Sequence, residues 1–309
     1  MILISIVIPV YKSSKSLEII AEQVAELEKQ REENFELIFI NDSPGFKPTS
    51  ESLEKIKEKH SNVRVFSLRK NQGQEIATLV GLSKAKGDLV ITMDDDLQNP
   101  VSEIPKLIDA MHDNPEAEAV FAVQGYTQRK HSLWRNLGSY ILNKIDTFFL
   151  EKPKGLDKSS FGILTRDICQ VVLNNHNAMP AVASLIIKAT NNIINIDVEH
   201  NTRVYGRSNY SLQKLISLSL NNILHYSSLP LKMVGYIGFA GLLFSVVFIA
   251  WTMIRYFFFG ITFPGYASTV TLISFFGGLN LFSVGMVGEY LIRIIKEQQK
   301  IPLNDLIKD

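Results

Sequence analysis

The sequence predicts an α/β fold with a mostly parallel sheet, followed by an interfacial helix and a two-helix transmembrane hairpin. Three observations lead there. Strand and helix patterns alternate through the first half of the chain, and crossover helices between successive strands are what a parallel sheet requires. Val234 to Ile254 and Ile261 to Gly288 contain no charged residue, and each run meets the length of about 20 apolar residues that a bilayer-spanning helix needs. The chain has 309 residues, 46% of them hydrophobic, which is ample for a sizeable core as well.

The elements follow in order. Apolar stretches place strands near 3–10, 35–40, 63–68 and 88–93, with helices near 16–30, 50–59, 74–86 and 101–111. In the first helix Leu17, Ile20, Val24 and Leu27 share one face, as a helix covering a sheet must arrange them. The run Leu3 to Val10 is too short for a signal peptide and has no basic segment before it. Residues 112–160 are less regular and include the basic-aromatic segment Gln128 to Arg135. A second basic segment, Arg203 to Ser211, precedes Leu212 to Ser228, which reads as an amphipathic helix lying at a membrane interface.

These patterns divide the chain into an α/β domain over 1–210, an interfacial helix over 211–230, two membrane helices within 231–295 (about 234–257 and 267–290) and a tail over 296–309. Lys232 precedes the first membrane helix, while Arg293, Lys296 and Lys300 follow the second. The positive-inside bias therefore puts both ends of the hairpin, and the α/β domain with them, on the cytoplasmic side. Arg255 lies near the opposite end, where it snorkels to the outer interface. The competing reading is a buried helical hairpin of a soluble protein, but these runs exceed ordinary core helices in length.

Composition excludes several classes. A net charge of +1 argues against a general nucleic-acid binder. The lone Cys169 rules out an internal disulfide, fits a reducing compartment, and sits in an apolar helical stripe that suits inert burial. There is no glycine-rich turn after the first strand, no Walker sequence, no Cys/His metal set and no Gly-x-Ser-x-Gly elbow.

What remains is the stretch Leu89 to Gln98, an apolar strand that runs into Asp94, Asp95 and Asp96. Three adjacent carboxylates repel unless something positive sits among them. Mg²⁺ and Mn²⁺ take hard oxygen ligands, often from one or two carboxylates, with substrate phosphates completing the shell. In an extended segment Asp94 and Asp96 face one side and Asp95 the other. The pattern therefore reads as an Asp-x-Asp metal site, with Gln98 as a further oxygen ligand. The alternative is a solvated acidic turn capping the helix near Val101.

Taken together, Val7-Ile-Pro-Val-Tyr11, the Asn41-Asp42 turn, Asn71-Gln-Gly-Gln74, Gly87 to Pro100, Pro264 to Ala267 and Gly288 to Leu291 resemble one family nearly end to end. The chain is similar to the family 2 glycosyltransferases of the GT-A fold. The resemblance is to the polyprenyl-phosphate enzymes: dolichyl-phosphate mannose synthase, bactoprenol glucosyltransferase and undecaprenyl-phosphate 4-deoxy-4-formamido-L-arabinose transferase. It implies an inverting, metal-dependent transfer from a nucleotide-diphosphate sugar, by preference a UDP-sugar, to undecaprenyl phosphate at the cytoplasmic face of the inner membrane. By position it implies nucleotide-sugar contacts from Pro9, Tyr11, Asp42, Asp94 and Asp95. It puts Asp94 and Asp96 in the catalytic role, Asp94, Asp96 and Gln98 on Mg²⁺ or Mn²⁺, and Arg135, Ser139 and Arg203 on the acceptor phosphate. A polybasic patch for anionic lipid is the other reading of those arginines. A homo-oligomer is implied as well, tetramers occurring among related proteins, with Gly277-Gly278 and Gly285 to Gly288 as faces for close helix packing.

The departures from the family pattern matter. Asn41-Asp-Ser-Pro-Gly45 stands where the family has Asp-Gly-Ser, Ser160 stands where it carries an active-site aspartate, and Asn209 stands where lysine is common. Asp157, three residues before Ser160, is the candidate to substitute for that aspartate. The alternative these changes open is a non-catalytic membrane-bound relative that binds lipid or a partner protein.

Overall fold

A computed structural model of the chain describes residues 2–124, 155–175, 180–199, 201, 229–259 and 265–308. The chain divides into two compact units: Met1–Leu215 together with Lys300–Asp309, and Ile216–Gln299.

In the first unit the strands and helices alternate as the sequence predicts: β1 (Leu3–Val10), α1 (Lys15–Gln30), β2 (Asn34–Asn41), α2 (Lys47–Lys59), β3 (Val63–Leu68), α3 (Gln74–Lys84), β4 (Leu89–Thr92) and α4 (Ile104–Asp113). The starts and stops have local causes. Helix α2 begins three residues earlier than expected because Pro48 lies in its first turn, where a missing N–H costs nothing. A 3₁₀ turn, Val101–Glu103, leads into α4. Leu17, Ile20, Val24 and Leu27 are all buried on one face of α1.

After α4 come β5 (Ala119–Gln124), β6 (Gly162–Thr165), α5 (Arg166–Asn174), α6 (Val182–Ala189) and β7 (Ile193–Val198), and β8 (Ile307–Lys308) ends the chain. The strand order is β7-β5-β6-β4-β1-β2-β3-β8. β1 pairs parallel with both β2 and β4, while β6 runs antiparallel to its neighbours and β8 antiparallel to β3. Strand β1 is buried along almost its whole length, as a central parallel strand must be when helices cover both faces.

The amino end of this sheet is closed by a polar knot. Glu36 accepts hydrogen bonds from the Ser5 hydroxyl, the Lys86 N–H at 2.6 Å and the Arg64 guanidinium at 2.9 Å. Burial pushes this carboxyl up, but the three donors outweigh burial and hold it below its ordinary 4.5. Gly87 makes the close approach possible, since a Cβ there would lie 2.7 Å from both the Leu3 carbonyl and the Ser5 nitrogen.

Lys300–Asp309, expected as a tail, belongs to the first unit. Ser67 and Leu68 pair with Lys308 and Ile307, Leu306 is buried, and Arg69 N–H donates to the Leu306 carbonyl at 2.8 Å. The short strand β8 thus covers the edge of β3, which a two-residue pattern does not announce in sequence. Cys169 is fully buried, its Sγ faces the Leu82 carbonyl, and burial pushes its thiol from 9.0 up to about 11.

The second unit contains two long helices, α7 (Leu229–Phe259) and α8 (Tyr266–Gln298). The expected two-helix transmembrane hairpin is met only in part. Among the described residues one helix, Phe275–Gln298, is long and apolar enough to cross a membrane. Several side chains of α7 lie outside the described residues, as does most of the expected interfacial helix over 211–230. Helix α8 also runs past the expected end at 290. Arg293, Lys296 and Glu297 are good helix formers, Arg293 pairs with Glu289 at 2.6 Å one turn back, and no proline occurs between Pro264 and Pro302. Trp251, Phe257, Phe275 and Leu281 are each at least 60% exposed, apolar surface of a kind that lipid accepts. A Cβ at Gly277, Gly278, Gly285 or Gly288 would meet nothing within 4 Å, and nothing in this single chain supports the homo-oligomer.

Candidate functional site

Ligands of open α/β sheets bind beyond the carboxyl ends of the strands. Because β4, β1 and β2 are neighbours, the segments after them come together, and these are the segments that carry Pro9 and Tyr11, Asp42, and Asp94 to Asp96.

The β1 and β2 ends are tied to one another first. Asp42 N–H donates to the Val10 carbonyl at 2.9 Å, and Lys12 N–H donates to the Ser43 hydroxyl at 3.0 Å. Lys12 has φ 56, a left-handed turn that leaves the Tyr11 ring 52% exposed at the rim. Asp42 is only 2% exposed. Its two oxygens accept from Gln72 N–H at 2.6 Å and Gly73 N–H at 2.8 Å. Burial raises its pKa, and those two bonds oppose the rise. Gly73 sits at φ +89, so the loop geometry that delivers these N–H groups favours glycine.

Strand β4 stops at Thr92, and Asp94 leads into a turn that holds Asp95 and Asp96, with Leu97 in the left-handed region at φ 61. The extended geometry expected for Asp94 to Asp96 is therefore corrected. Asp95 still parts from Asp94, but the turn separates them instead of strand alternation. Asp94 accepts from the Gln74 amide at 2.6 Å and from the Ser160 hydroxyl at 2.7 Å. Asp96 accepts from Gln98 N–H at 3.1 Å, while the Gln98 carbonyl accepts from Asn201 N–H at 2.9 Å. Asp95 turns toward β1 and accepts from Tyr11 N–H at 3.1 Å. Burial is the main reason its carboxyl is pushed up to about 6; bonds from Ser13 and Tyr11 lower it, and Asp94 and Asp96 raise it.

Ser160 keeps a place in the site: its carbonyl accepts from the Thr92 hydroxyl at 2.8 Å while its own hydroxyl reaches Asp94. Asp157 is held by its backbone to Asn195, and the wall beside Asp94 is built from Lys158, Ser159 and Ser160. Among the described residues no three His, Cys, Asp or Glu side chains converge as a closed metal cage. The donor set nonetheless fits Mg²⁺ or Mn²⁺, which are held by one or two carboxylates with phosphates and water filling the shell. Arg135, Ser139, Arg203 and Asn209 lie outside the described residues.

Sequence reasoning missed the segment after β3. Gln72, Gly73 and Gln74 bond both Asp42 and Asp94, and they belong to the Asn71-Gln-Gly-Gln74 stretch, whose position after a third strand end was the available signal. Glu75 and Lys158 were missed as well; both line a cavity beside Asp94.

Comparison with known proteins adds three findings. The Glycosyl transferase family 2 model matches residues 5–172. The chain is 30% identical over 316 residues to undecaprenyl-phosphate 4-deoxy-4-formamido-L-arabinose transferase of Proteus mirabilis, covering 97% of this chain and 91% of that one. The protein of the same description from Photorhabdus laumondii is 29% identical over 311 residues with the same coverage. Among solved structures, mannosyl-3-phosphoglycerate synthase from Rubrobacter xylanophilus superposes with a TM-score of 0.51 at 13% identity, covering 72% of this chain and 73% of that one. Glucosyl-3-phosphoglycerate synthase from Mycobacterium tuberculosis, in complex with Mn²⁺, UDP-glucose and phosphoglyceric acid, gives 0.50 at 16% identity, with 72% and 78% covered. At these identities the two structures speak to the GT-A fold alone.

Proposed function

The chain belongs to glycosyl transferase family 2, and from that premise we propose that it transfers a sugar from a nucleotide-diphosphate sugar, by preference a UDP-sugar, to a polyprenyl phosphate such as undecaprenyl phosphate. The observation that carries the reading is that the aspartate turn meets the ends of β1 and β2: Asp95 bonds Tyr11 N–H, and the Gln72 to Gln74 segment bonds both Asp42 and Asp94. Relatives described as undecaprenyl-phosphate transferases over 97% of the chain support the acceptor. The M. tuberculosis synthase, which shares the fold, is described with UDP-glucose and Mn²⁺, a donor of the class proposed here.

Each residue has a task in this mechanism. Tyr11 holds the nucleoside, with Pro9 beside it on β1, and Asp42 serves the nucleotide-sugar through the Gln72–Gly73 loop that its oxygens hold. Asp94 and Asp96, with Gln98, would hold Mg²⁺ or Mn²⁺, and the metal would supply positive charge against the charge developing on the departing nucleoside diphosphate. Asp95 fixes the aspartate turn to β1 through Tyr11 N–H. The acceptor phosphate oxygen attacks the anomeric carbon from the face opposite the diphosphate, so the glycosidic bond breaks with inversion. A polyprenyl phosphate is largely dianionic near neutral pH, its second pKa being about 6, so it reacts without a general base. Arg135, Ser139 and Arg203 are assigned to that phosphate, since a planar guanidinium suits multidentate contact.

Membrane attachment through a two-helix hairpin belongs to the same proposal. The chain leaves the first unit near Leu215 and re-enters it at Lys300. A segment that starts and finishes on one domain crosses a bilayer an even number of times. This supports α7 as the partner of the candidate span in α8. Lys232, Arg293, Lys296 and Lys300 then all lie on the cytoplasmic side with the catalytic domain.

The test is direct. Purified protein with Mg²⁺ or Mn²⁺, undecaprenyl phosphate and a panel of UDP, GDP and dTDP sugars is expected to give a lipid-linked sugar. No product across the panel, or full product without divalent metal, would sink the reading.

A further inference from the structure

A cavity of about 190 Å³ opens beside Asp94, with Gln74, Glu75, Thr78, Lys158 and Ser160 among its polar lining. By the volume one water takes in the liquid, it holds about six waters, the scale of a single sugar ring. Glu75 comes from the first turn of α3, and its Oε2 accepts from Val182 N–H at 2.7 Å, tying α3 to the start of α6. The residue is nevertheless exposed. It lines the cavity as well, so a carboxylate that needed only to clasp α6 is here also open to a ligand.

Its surroundings make the placement costly. Burial is the main reason that the Glu75 carboxyl is pushed up; the Val182 N–H opposes this, Asp94 raises it further and Lys158 lowers it. An ionised carboxylate offers about four acceptor sites, and among the described residues Val182 N–H takes one of them. Glu75 and Asp94 are the two carboxylates on this lining. Asp94 already receives Gln74 and Ser160 and is assigned to the metal-diphosphate. Acceptors left over in a sugar-sized space call for a ligand rich in O–H donors, and hydroxyl bonds to a carboxylate are short and strong. Lys158 and the Ser159 hydroxyl also line the cavity as donors, while the Ser160 hydroxyl donates to Asp94.

We infer that Glu75 reads the transferred sugar: its carboxylate accepts hydrogen bonds from hydroxyls of a neutral sugar seated in the cavity beside Asp94. This rests on the transferase reading, which puts the diphosphate at Asp94 and so the sugar next to it. Ser160 adds a hydroxyl to that wall and no charge, so Glu75 is the carboxylate that faces the sugar.

The full-length chain in detergent with Mn²⁺ provides the test, by calorimetric titration with UDP and with UDP-glucose, UDP-galactose and UDP-N-acetylglucosamine. Glu75→Gln keeps an acceptor for Val182 N–H and removes the charge; Glu75→Ala removes both. For the UDP-sugar that the unaltered protein binds best, we expect Glu75→Gln to raise Kd severalfold and Glu75→Ala to raise it about tenfold or more, about 1.4 kcal/mol. UDP itself is expected to bind both variants within about twofold of the unaltered protein, as good a match as independent sites give. Equal weakening of UDP and UDP-sugar, or no change in either, would show a clasp for α6 and overturn the inference. An unaltered protein that binds no nucleotide at all would overturn the transferase reading, and this inference with it.

Discussion

Both ends of the parallel sheet bury carboxylates, and they treat them in opposite ways. At the amino end Glu36 faces the Arg64 guanidinium and two further donors, so protein cations and dipoles balance its charge. At the carboxyl end the partners of Asp42, Asp94, Asp95 and Asp96 among the described residues include neutral donors: the Gln72, Gly73, Tyr11 and Gln98 N–H groups, the Gln74 amide and the Ser160 hydroxyl. The first arrangement lowers a pKa and the second raises those of Asp42 and Asp95. A carboxylate paired with a protein cation stabilises the fold, whereas neighbouring carboxylates that also accept from neutral donors are suited to an external cation.

The contrast can be broken by exchange of roles, and the largest effect is expected at the carboxyl end. Asp94→Asn or Asp96→Asn should lower sugar transfer by roughly 10²- to 10³-fold, with a melting temperature equal to or above that of the unaltered protein, because like charges are removed. Transfer assays and thermal melts on the same samples check this; a large loss of stability would mean that these carboxylates serve the fold.

Glu36→Ala should do the reverse. Leaving Arg64 without its partner at a part-buried site costs about 3 kcal/mol, read as a lower urea midpoint, while folded protein keeps its activity. The pH dependence has a definite sign. The folded pKa of Glu36 lies below 4.5, so its contribution is present above that value and is lost as pH falls through the folded pKa. The Glu36→Ala variant should show a shallower acid loss of stability.

Asp42→Asn is expected to raise the donor KM about tenfold, through loss of charge-assisted bonds to Gln72 and Gly73, with a smaller change in kcat. Gly73→Ala, at φ +89, should cost about 1 kcal/mol and raise KM in the same direction. An unchanged KM in both variants would detach this loop from donor binding.

The smallest effect is expected in the core between these ends. Cys169 has a thiol pushed up from 9.0 to about 11, so its contribution is full below pH 9 and is lost as pH rises toward 11. A thiol reagent at pH 8 should label it only after unfolding; rapid labelling of folded protein would contradict its burial.

Much of the fold was legible because its signals are local. The run Leu3 to Val10 shows a buried parallel strand by continuous apolarity, and the Leu17, Ile20, Val24, Leu27 stripe shows a covering helix by period. The aspartate triplet stood out because three adjacent like charges are costly without a cation. The site's remainder was less legible. Gln72, Gly73 and Gln74 are ordinary loop residues until β3 lies beside β2, and Glu75 is one glutamate in a helix until α6 packs against it. The tail strand β8 has two residues, too few for any period, and exists because the edge of β3 offers it partners.

Sequence alone therefore determined the alternating elements, the apolar C-terminal segments and the cluster of three aspartates, since each follows from residue type and spacing along the chain. Tertiary structure decided which strand ends are neighbours, that the aspartates run into a turn, that the chain's end returns to the sheet, and that Glu75 shares a cavity with Asp94. These depend on strand order and on packing between residues far apart in sequence, and no local pattern encodes them.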